Sequence, residues 1–564
     1  LKDRLIGMKI NMRTQRINFI GFMLISVFES ISLLGQGPEC FFVHFDRSFY
    51  ASGETIWFKA YQTNFVSDAR SRVLHVDLVS HQNELISRQK FPIKEGVSIG
   101  SINLPMDAPE GFYRFRAYTR FNMNFEPPVI YQADIPIYSL DEETLPVDHQ
   151  PQDDIKPITT SGITVNTDQE IYMPRDSLEL SFKVNGYADK SKEGSFSISI
   201  VPSELVPNVK FDQEPGCVNL SPKPGGLLLP ERTLFVEGQL TDPSTGQEIS
   251  SRLLSVYINQ TSQLIRASAR DGQLKVAVPD YTGPGVFQIL NLDPYSTTVP
   301  KLLPAANIPE DTYFNPSPPQ RTSVVSSYLD KLAKRRKIIE LFDLYKMPQV
   351  ETDEFNIKVP DAVYYTSGVK QIYSFEQFIN EAIPNVRVRE KDGIKSVRLF
   401  NREQGRLFED HPWYMVDGFL TFNESPVLQI PYQDIVEVRL YSKTSTLEKY
   451  FHGFMLRSGI MEIITRDVKY VRELKNSPNV VEIEGFNLPG NFPETLNPSG
   501  DELIPDLRGT SYWSPDITTD SLGTGRITIP LPDDTGDFTI VVMGSNNQHQ
   551  PVAGYHTFKV ELKK

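Results

Sequence analysis

The sequence predicts a mainly β, multidomain protein, a run of β-sandwiches with a single α+β module among them. Short apolar-alternating segments recur between turn signals, as in Thr55 to Tyr61, Val73 to Val79 and Phe112 to Tyr118, which is the period of half-buried strands. Proline at 42 exceeds glycine at 34, favouring strands joined by Pro-punctuated loops over long helices. A length of 564 residues divides into roughly three to four typical domains rather than one core.

The composition is 39% hydrophobic and 11% aromatic, with a formal net charge of −14. That balance suits folded modules, and it disfavours a nucleic-acid binder, which needs a basic face for phosphates. Cys40 and Cys217 are the two cysteines, too few for a disulfide-rich scaffold or a Cys-ligated zinc site. Whether they pair stays open at this point.

Residues 1–37 read as an N-terminal extension with a secretory signal peptide. Arg13 and Arg16 precede an apolar run from Ile17 to Leu34, and Gly35 to Gly37 supply a break for cleavage. Translation is expected to start at Met8 or Met12. Asn18, Ser26, Glu29 and Ser30 interrupt the run, which weakens it as a permanent span. Pro38 and Glu39 before Cys40 do not suit a lipidation signal. No other stretch reaches the roughly 18 apolar residues of a spanning helix. The expectation is an exported mature chain without a transmembrane span, in the periplasm or at the cell surface, peripheral to the outer membrane.

Residues 41–140 are expected to form a first sandwich. The segment Asp46-Arg47-Ser48-Phe49-Tyr50-Ala51-Ser52-Gly53-Glu54-Thr55-Ile56-Trp57-Phe58-Lys59-Ala60-Tyr61 resembles the opening of macroglobulin-type domains in envelope proteins of the Bacteroidota. Pro109 to Phe115 is similar to the end of such domains. In physical terms Tyr50 and Trp57 offer large bodies for a core, and Gly53 permits the turn between two strands. After a linker from Asp141 to Thr160, Asp168 to Leu180 repeats the Asp, Tyr, acidic and apolar positions of Asp46 to Phe58. Residues 161–222 therefore read as a second sandwich of the same macroglobulin-like or Ig-like type.

Residues 228–292 resemble a carboxypeptidase-regulatory-like β-sandwich, through Phe235 to Ile249 and through Asp271-Gly272-Gln273-Leu274, whose Asp-Gly pair suits a tight turn. Residues 293–353 are expected to be a linker with an amphipathic helix over 323–345, carrying Val325, Tyr328, Leu329, Leu332, Ile339 and Phe342 on one face. Its basic run Lys334-Arg335-Arg336-Lys337 reads as a solvated face.

Residues 354–467 alternate strand and helix. Ser374 is expected to cap a helix that Pro384 stops. Strands should follow at 386–389, 395–400, 412–416, 430–440 and 459–466, with Asp417-Gly418 turning the chain. In that order the series resembles the plug domain of TonB-dependent outer-membrane receptors of the SusC/RagA type, with Phe451-His452-Gly453 departing from its usual pattern. Roughly 100 residues follow Asp467, where a receptor barrel would need about 22 strands of about 10 residues. The expectation is a plug-like fold without its pore. Residues 480–563 read as a C-terminal macroglobulin-like sandwich, with Tyr512 to Asp520 and Arg526 to Asp533 as a strand pair and Trp513 as its structural residue.

No constellation of an enzyme emerges. The eight histidines are scattered, and neither H-E-x-x-H nor a phosphate-binding G-x-x-x-x-G-K-[ST] loop occurs. Cys217 lacks the Gln that a thioester requires. Asp417-Gly418 and Asp533-Asp534 read as turns. No catalytic, cofactor-binding or metal-ligating residue is assigned, and no cofactor is implied. The motif residues Tyr50, Gly53, Trp57, Asp417, Gly418 and Trp513 are structural. The resemblances imply a non-enzymatic, exported cell-envelope protein with protein partners, including an outer-membrane β-barrel complex of transport or secretion machinery. The alternative is a thioester-less macroglobulin-like protease-binding protein, with Pro294 to Arg321 as its exposed bait loop.

Overall fold

The computed structural model describes residues 37–63, 70–140, 162–185, 195–206, 220, 223, 228–292, 299–304, 314–341, 358–367, 372–391, 394–451, 453–467, 469–492, 505–546 and 549–563. The expected leader, the linker from Asp141 to Thr160, Cys217 and Phe342 lie outside them. The protein is mainly β and multidomain. Its chain forms two compact units and passes between them four times: residues 1–232, 308–346 and 487–564 make one, and 233–307 with 347–486 the other. Among the described residues no helix is long and apolar enough to cross a membrane.

The first unit contains two sandwiches of one design. In the first, a three-stranded sheet of Cys40–Phe45, Thr55–Thr63 and Val97–Asn103 faces a five-stranded sheet ordered Tyr50–Ala51, Tyr131–Tyr138, Gly111–Tyr118, Val73–Val79 and Leu85–Pro92. Ile56, Phe58, Leu74, Val76, Phe115 and Ile137 fill the space between them. The strand Thr55–Thr63 does not alternate cleanly because both its faces are covered. Ile56, Phe58 and Ala60 enter the core, while Lys59 and Tyr61 on the other face are buried against the second sandwich.

The second sandwich departs from expectation. Segments 161–222 and 480–563 do not form separate domains but interleave in one. A five-stranded sheet runs Ile171–Tyr172, Pro551–Val560, Gly536–Ser545, Ser195–Pro202 and Tyr512–Thr518, and a three-stranded sheet runs Thr524–Pro530, Ser177–Val184 and Ile163–Thr167. Tyr512–Thr518 and Thr524–Pro530 therefore do not pair with each other. Each adds to a strand of the earlier segment. The reason is burial: Leu178 and Phe182 in the smaller sheet face Phe196 and Ile200 in the larger one. Ile529 on the first side, with Phe538, Ile540 and Phe558 on the second, widens both layers so that this core is covered.

The helix Ser323–Leu341 belongs to this unit and is no free linker. Val325, Tyr328, Leu329 and Leu332 pack on Phe49, Ala51, Tyr138, Val201 and Leu205.

In the second unit a seven-stranded sheet runs Lys301–Pro304, Leu234–Thr241, Gln273–Val278, Gln263–Arg270, Ser251–Ile258, Pro284–Asn291 and Val480–Glu484. The last strand, expected to open the C-terminal sandwich, extends this sheet instead. Tyr257, Leu264 and Leu290 share one core with Phe375, Phe378, Trp413, Ile435 and Ile463 of the α+β module. That module has a five-stranded sheet ordered Ala362–Tyr365, Ile435–Tyr441, Ile460–Thr465, Trp413–Val416 and Phe419–Thr421, and a three-stranded sheet of Val386–Lys391, Ile394–Asn401 and Arg406–Leu407. Its first helix, Phe375–Ala382, starts where Ser374 accepts a hydrogen bond from Gln377 N at 3.1 Å.

Candidate functional site

One of the buried ionic clusters in the first unit is a hub built from the motif that opens the first sandwich. Tyr50 Oη donates to Asp46 Oδ1 at 2.6 Å, and Trp57 N donates to the same oxygen at 3.1 Å. Ala51 N donates to Glu54 Oε2 at 2.8 Å. These bonds close the turn between two strands and are local.

The second copy of the motif repeats them. Tyr172 Oη donates to Asp168 Oδ1 at 2.6 Å, Glu179 N to the same oxygen at 2.9 Å, and Met173 N to Asp176 Oδ2 at 2.7 Å. Both two-residue strands pair in parallel with the strand of their sheet that ends the sandwich, Tyr138's in one and Val560's in the other.

What differs between the copies is Arg47, where the second has Gln169. Arg47 is buried, bonds Tyr328 Oη and lies 3.2 Å from Glu54 Oε1. Tyr328 in turn donates to Glu54 at 2.8 Å, and Arg336 of the same helix donates to the Ser52 carbonyl. Thr510 Oγ1 donates to Asp46 Oδ2 at 2.5 Å across 464 positions of sequence. Burial pushes the Glu54 carboxyl up, but Arg47 and Arg335 outweigh it and hold the group below the usual carboxylate range. Burial likewise works against the Arg47 charge, and Glu54, Tyr328 and Asp46 keep its pKa above the ordinary value. Charges so paired are poorly placed for proton transfer, and the hub joins three chain segments instead.

A neighbouring cleft is lined by Leu205, Tyr328, Lys331, Arg335, Arg508 and Asp534. The basic run is thus only partly a solvated face, since Arg335 and Arg336 turn toward the protein.

A polar seam joins the two sandwiches. His44 Nδ1 lies 2.6 Å from Ser197 Oγ, and Tyr61 Oη donates to the Met543 carbonyl at 2.9 Å. Lys59 Nζ donates to Ser195 Oγ at 2.5 Å, and Ser195 donates to Asp516 at 2.7 Å. Burial drives the Lys59 pKa down to about 8 and that of His44 to about 3. Because Lys59 is the donor and Asp516 accepts from the serine hydroxyl, this trio is a bridge and not an activated nucleophile.

Tyr50 is fully buried in the core, and Gly53 takes φ +76. Trp57 does not enter the core; it is half-buried on the outer face with its ring 5.7 Å from Phe492, because Ile56 and Phe58 occupy the inward positions. Trp513 is buried, edge-on to His44 at 5.0 Å, in the seam and outside the sandwich core. Asp417 and Gly418 take φ 46 and 87 between Val416 and Phe419, which pair directly, and Asp417 also accepts from Thr465 N and Oγ1 at 2.8 and 2.6 Å.

Asp533-Asp534 do more than turn. Asp533 makes a bidentate pair with Arg175 at 2.7 and 2.8 Å, and Asp534 accepts from Arg508 N at 2.8 Å. No local signal announces the contacts of Arg47 with Tyr328 or of Arg175 with Asp533, whose partners lie hundreds of positions away. Cys40 is disulfide-bonded; the chain's other cysteine, Cys217, lies outside the described residues. Among the described residues no group of three or more His, Cys, Asp or Glu is placed to hold a metal ion.

The described parts of the expected bait loop are tied down. Lys301–Pro304 is a strand, Phe314 exchanges hydrogen bonds with Asn83 at 3.0 and 3.1 Å, and Arg321 binds Glu110 and the Ser139 carbonyl. Residues 293–298 and 305–313 lie outside the described residues.

No protein-family model matches the sequence, and no curated protein sequence matches it. Among solved structures the chain is similar to Escherichia coli alpha-2-macroglobulin activated by porcine elastase, with 10% identity, a TM-score of 0.24, and coverage of 93% of this chain and 44% of that one. It is also similar to Salmonella alpha-2-macroglobulin reacted with methylamine, with 10% identity, a TM-score of 0.24, and coverage of 93% and 40%. A DUF4785 family protein from Legionella pneumophila matches with 9% identity, a TM-score of 0.14, and coverage of 46% and 55%. The chain spans less than half the length of those two alpha-2-macroglobulins. Overlap this loose does not define the fold, which rests on the strand pairings themselves.

Proposed function

We propose that the chain is a non-enzymatic, exported cell-envelope protein that binds protein partners, acting beside outer-membrane transport or secretion machinery. The observation that carries the reading is the edge strand Ala362–Tyr365. It ends the five-stranded sheet of the α+β module. Thr366 N donates to Val436 O at 3.1 Å, so by the alternation of an antiparallel ladder Ala362 and Tyr364 face their partner strand. Val363 and Tyr365 then present their backbone groups to the open edge, with side chains 37% and 59% exposed. Such an edge is a template for a strand from another protein. The disulfide at Cys40 supports the exported reading, because disulfides persist in oxidising compartments.

The test is a photocrosslinker placed at position 365 of the full chain in its native cells. An outer-membrane β-barrel protein in the crosslinked product, lost on Val363→Pro, supports the reading. Proline at 363 removes an outward N–H without breaking the existing ladder. A chain that crosslinks to nothing, or equally well with Val363→Pro, overturns it.

A further inference from the structure

The α+β module carries a face whose charge runs against that of the whole chain. From Val386 to Arg406 seven basic residues stand against three acidic ones, in a chain of net charge −14. The strands Val386–Lys391 and Ile394–Asn401 pair so that Arg387 stands directly opposite Arg398, and Arg389 opposite Ser396. Val386, Val397 and Leu399 are buried in the core, so the alternate positions Arg387, Arg389 and Arg398 share the face turned away from it.

Arg387 and Arg389 are exposed and Arg398 is half-buried. Arg387 Nη1 donates to the Val386 carbonyl at 2.7 Å, and Nη1 of Arg398 is buried without a hydrogen-bond partner. Among the described residues none of the three is in an ion pair. Like charges directly opposed on paired strands destabilise them, so the fold gains nothing from Arg387 facing Arg398. A carboxylate between two guanidiniums reverses that sign through charge-assisted, bidentate bonds.

We propose that this face docks an extended acidic segment of a partner protein. Side chains two apart on an extended peptide repeat at about 7 Å, the spacing of Arg387 and Arg389 along their own strand. Carboxylates at alternate positions thus meet successive guanidiniums, a match that lipid headgroups of no fixed spacing do not offer. The inference deepens the partner-binding reading above and rests on it, but it uses a different strand pair.

The experiment titrates a fluorescent ten-residue peptide of alternating Glu and Thr against the full chain by anisotropy. Saturable binding is expected, weakened at least tenfold by Arg387→Gln with Arg398→Gln. The same pair changed to Lys keeps the charge but not the fork and should weaken binding less. Unchanged melting of each variant shows that the fold is kept. Absence of peptide binding by the unaltered chain, or equal binding by the Gln variant, overturns the proposal. So does tighter, arginine-dependent binding of anionic phospholipid vesicles or inorganic phosphate than of peptide. Val363→Pro should leave peptide binding unchanged, so failure of the edge-strand reading and failure of this one are told apart.

Discussion

Tyr50 and Asp46 form a 2.6 Å hydrogen bond that Tyr172 and Asp168 reproduce at 2.6 Å in the second sandwich. The two bonds close the same turn in different surroundings, since Asp46 is fully buried while the Asp168 bond lies near the surface. Tyr50→Phe leaves a buried carboxylate short of one donor and should cost about 1.5–3 kcal/mol, as for hydrogen bonds to charged groups. Tyr172→Phe should cost about 1 kcal/mol or less, because water can replace the lost donor. Equal losses in urea denaturation would contradict the difference in burial. Trp57 and Trp513 both lie in the first unit, so fluorescence in a Trp413→Phe background follows that unit.

The repeat also sets a backbone comparison. Gly53 at φ +76 and Arg175 at φ 67 occupy the same place in their motifs. A Cβ on Gly53 would meet Met106 Sδ at 2.2 Å, the far end of an exposed side chain that can swing aside, so Gly53→Ala chiefly adds the strain of a left-handed residue. A Cβ on Gly418, at φ 87, would meet nothing within 4 Å. Gly418→Ala and Gly53→Ala should each cost about 1 kcal/mol, and a loss of several kcal/mol at Gly53 would mean that Met106 cannot move aside. At Arg175, Ala loses the Asp533 pair and keeps the strain, whereas Gly loses the pair and relieves it. Arg175→Gly should therefore be the more stable of those two variants by about 1 kcal/mol, and the reverse order would deny the strain.

Lys59 gives a pH dependence with a definite sign. Burial lowers its folded pKa to about 8 from 10.5, so the unfolded chain binds the proton more tightly. Below pH 8 both states are charged and folding carries the full desolvation cost, on the order of 3 kcal/mol. Between about pH 8 and 10.5 the unfolded state holds more protons, and this group's contribution to stability rises with pH. Lys59→Met should accordingly stabilise the first unit at pH 7, with a benefit that shrinks toward pH 10.5. A benefit that grows with pH, read from melting curves across that range, would refute the burial argument.

How much of this was legible depended on distance along the chain. Ser374 as a cap, Asp417-Gly418 and Asp271-Gly272 as tight turns, and five strands of the α+β module could be read because the deciding residues lie close together, whereas the short strands Ala362–Tyr365, Arg406–Leu407 and Phe419–Thr421 carry too few alternating residues to announce themselves. The interleaving of Ser177–Val184 with Thr524–Pro530 could not, because alternation says that a strand has a buried face and not which strand lies beside it. Trp57 misled for a related reason. The strand Thr55–Thr63 is covered on both faces, so its aromatic residues do not reveal which side is the core. The hub was half legible: the turn bonds of Asp46, Tyr50 and Glu54 are local, while the docking of Arg47 on Tyr328 spans 281 positions.

Arg47→Met leaves Glu54 buried beside Tyr328 with its nearest cation removed, and breaking a buried pair from one side typically costs about 3–5 kcal/mol. Glu54→Leu alone leaves the Arg47 guanidinium with Asp46 and Tyr328, whose contacts persist, and should cost less. The double variant Arg47→Met with Glu54→Leu removes both charges and replaces them with apolar groups. Its loss should fall below the sum of the single losses by about 2 kcal/mol or more, since neither charge is then buried unpaired. Additive losses in the double-mutant cycle would mean that Arg47 and Glu54 act independently.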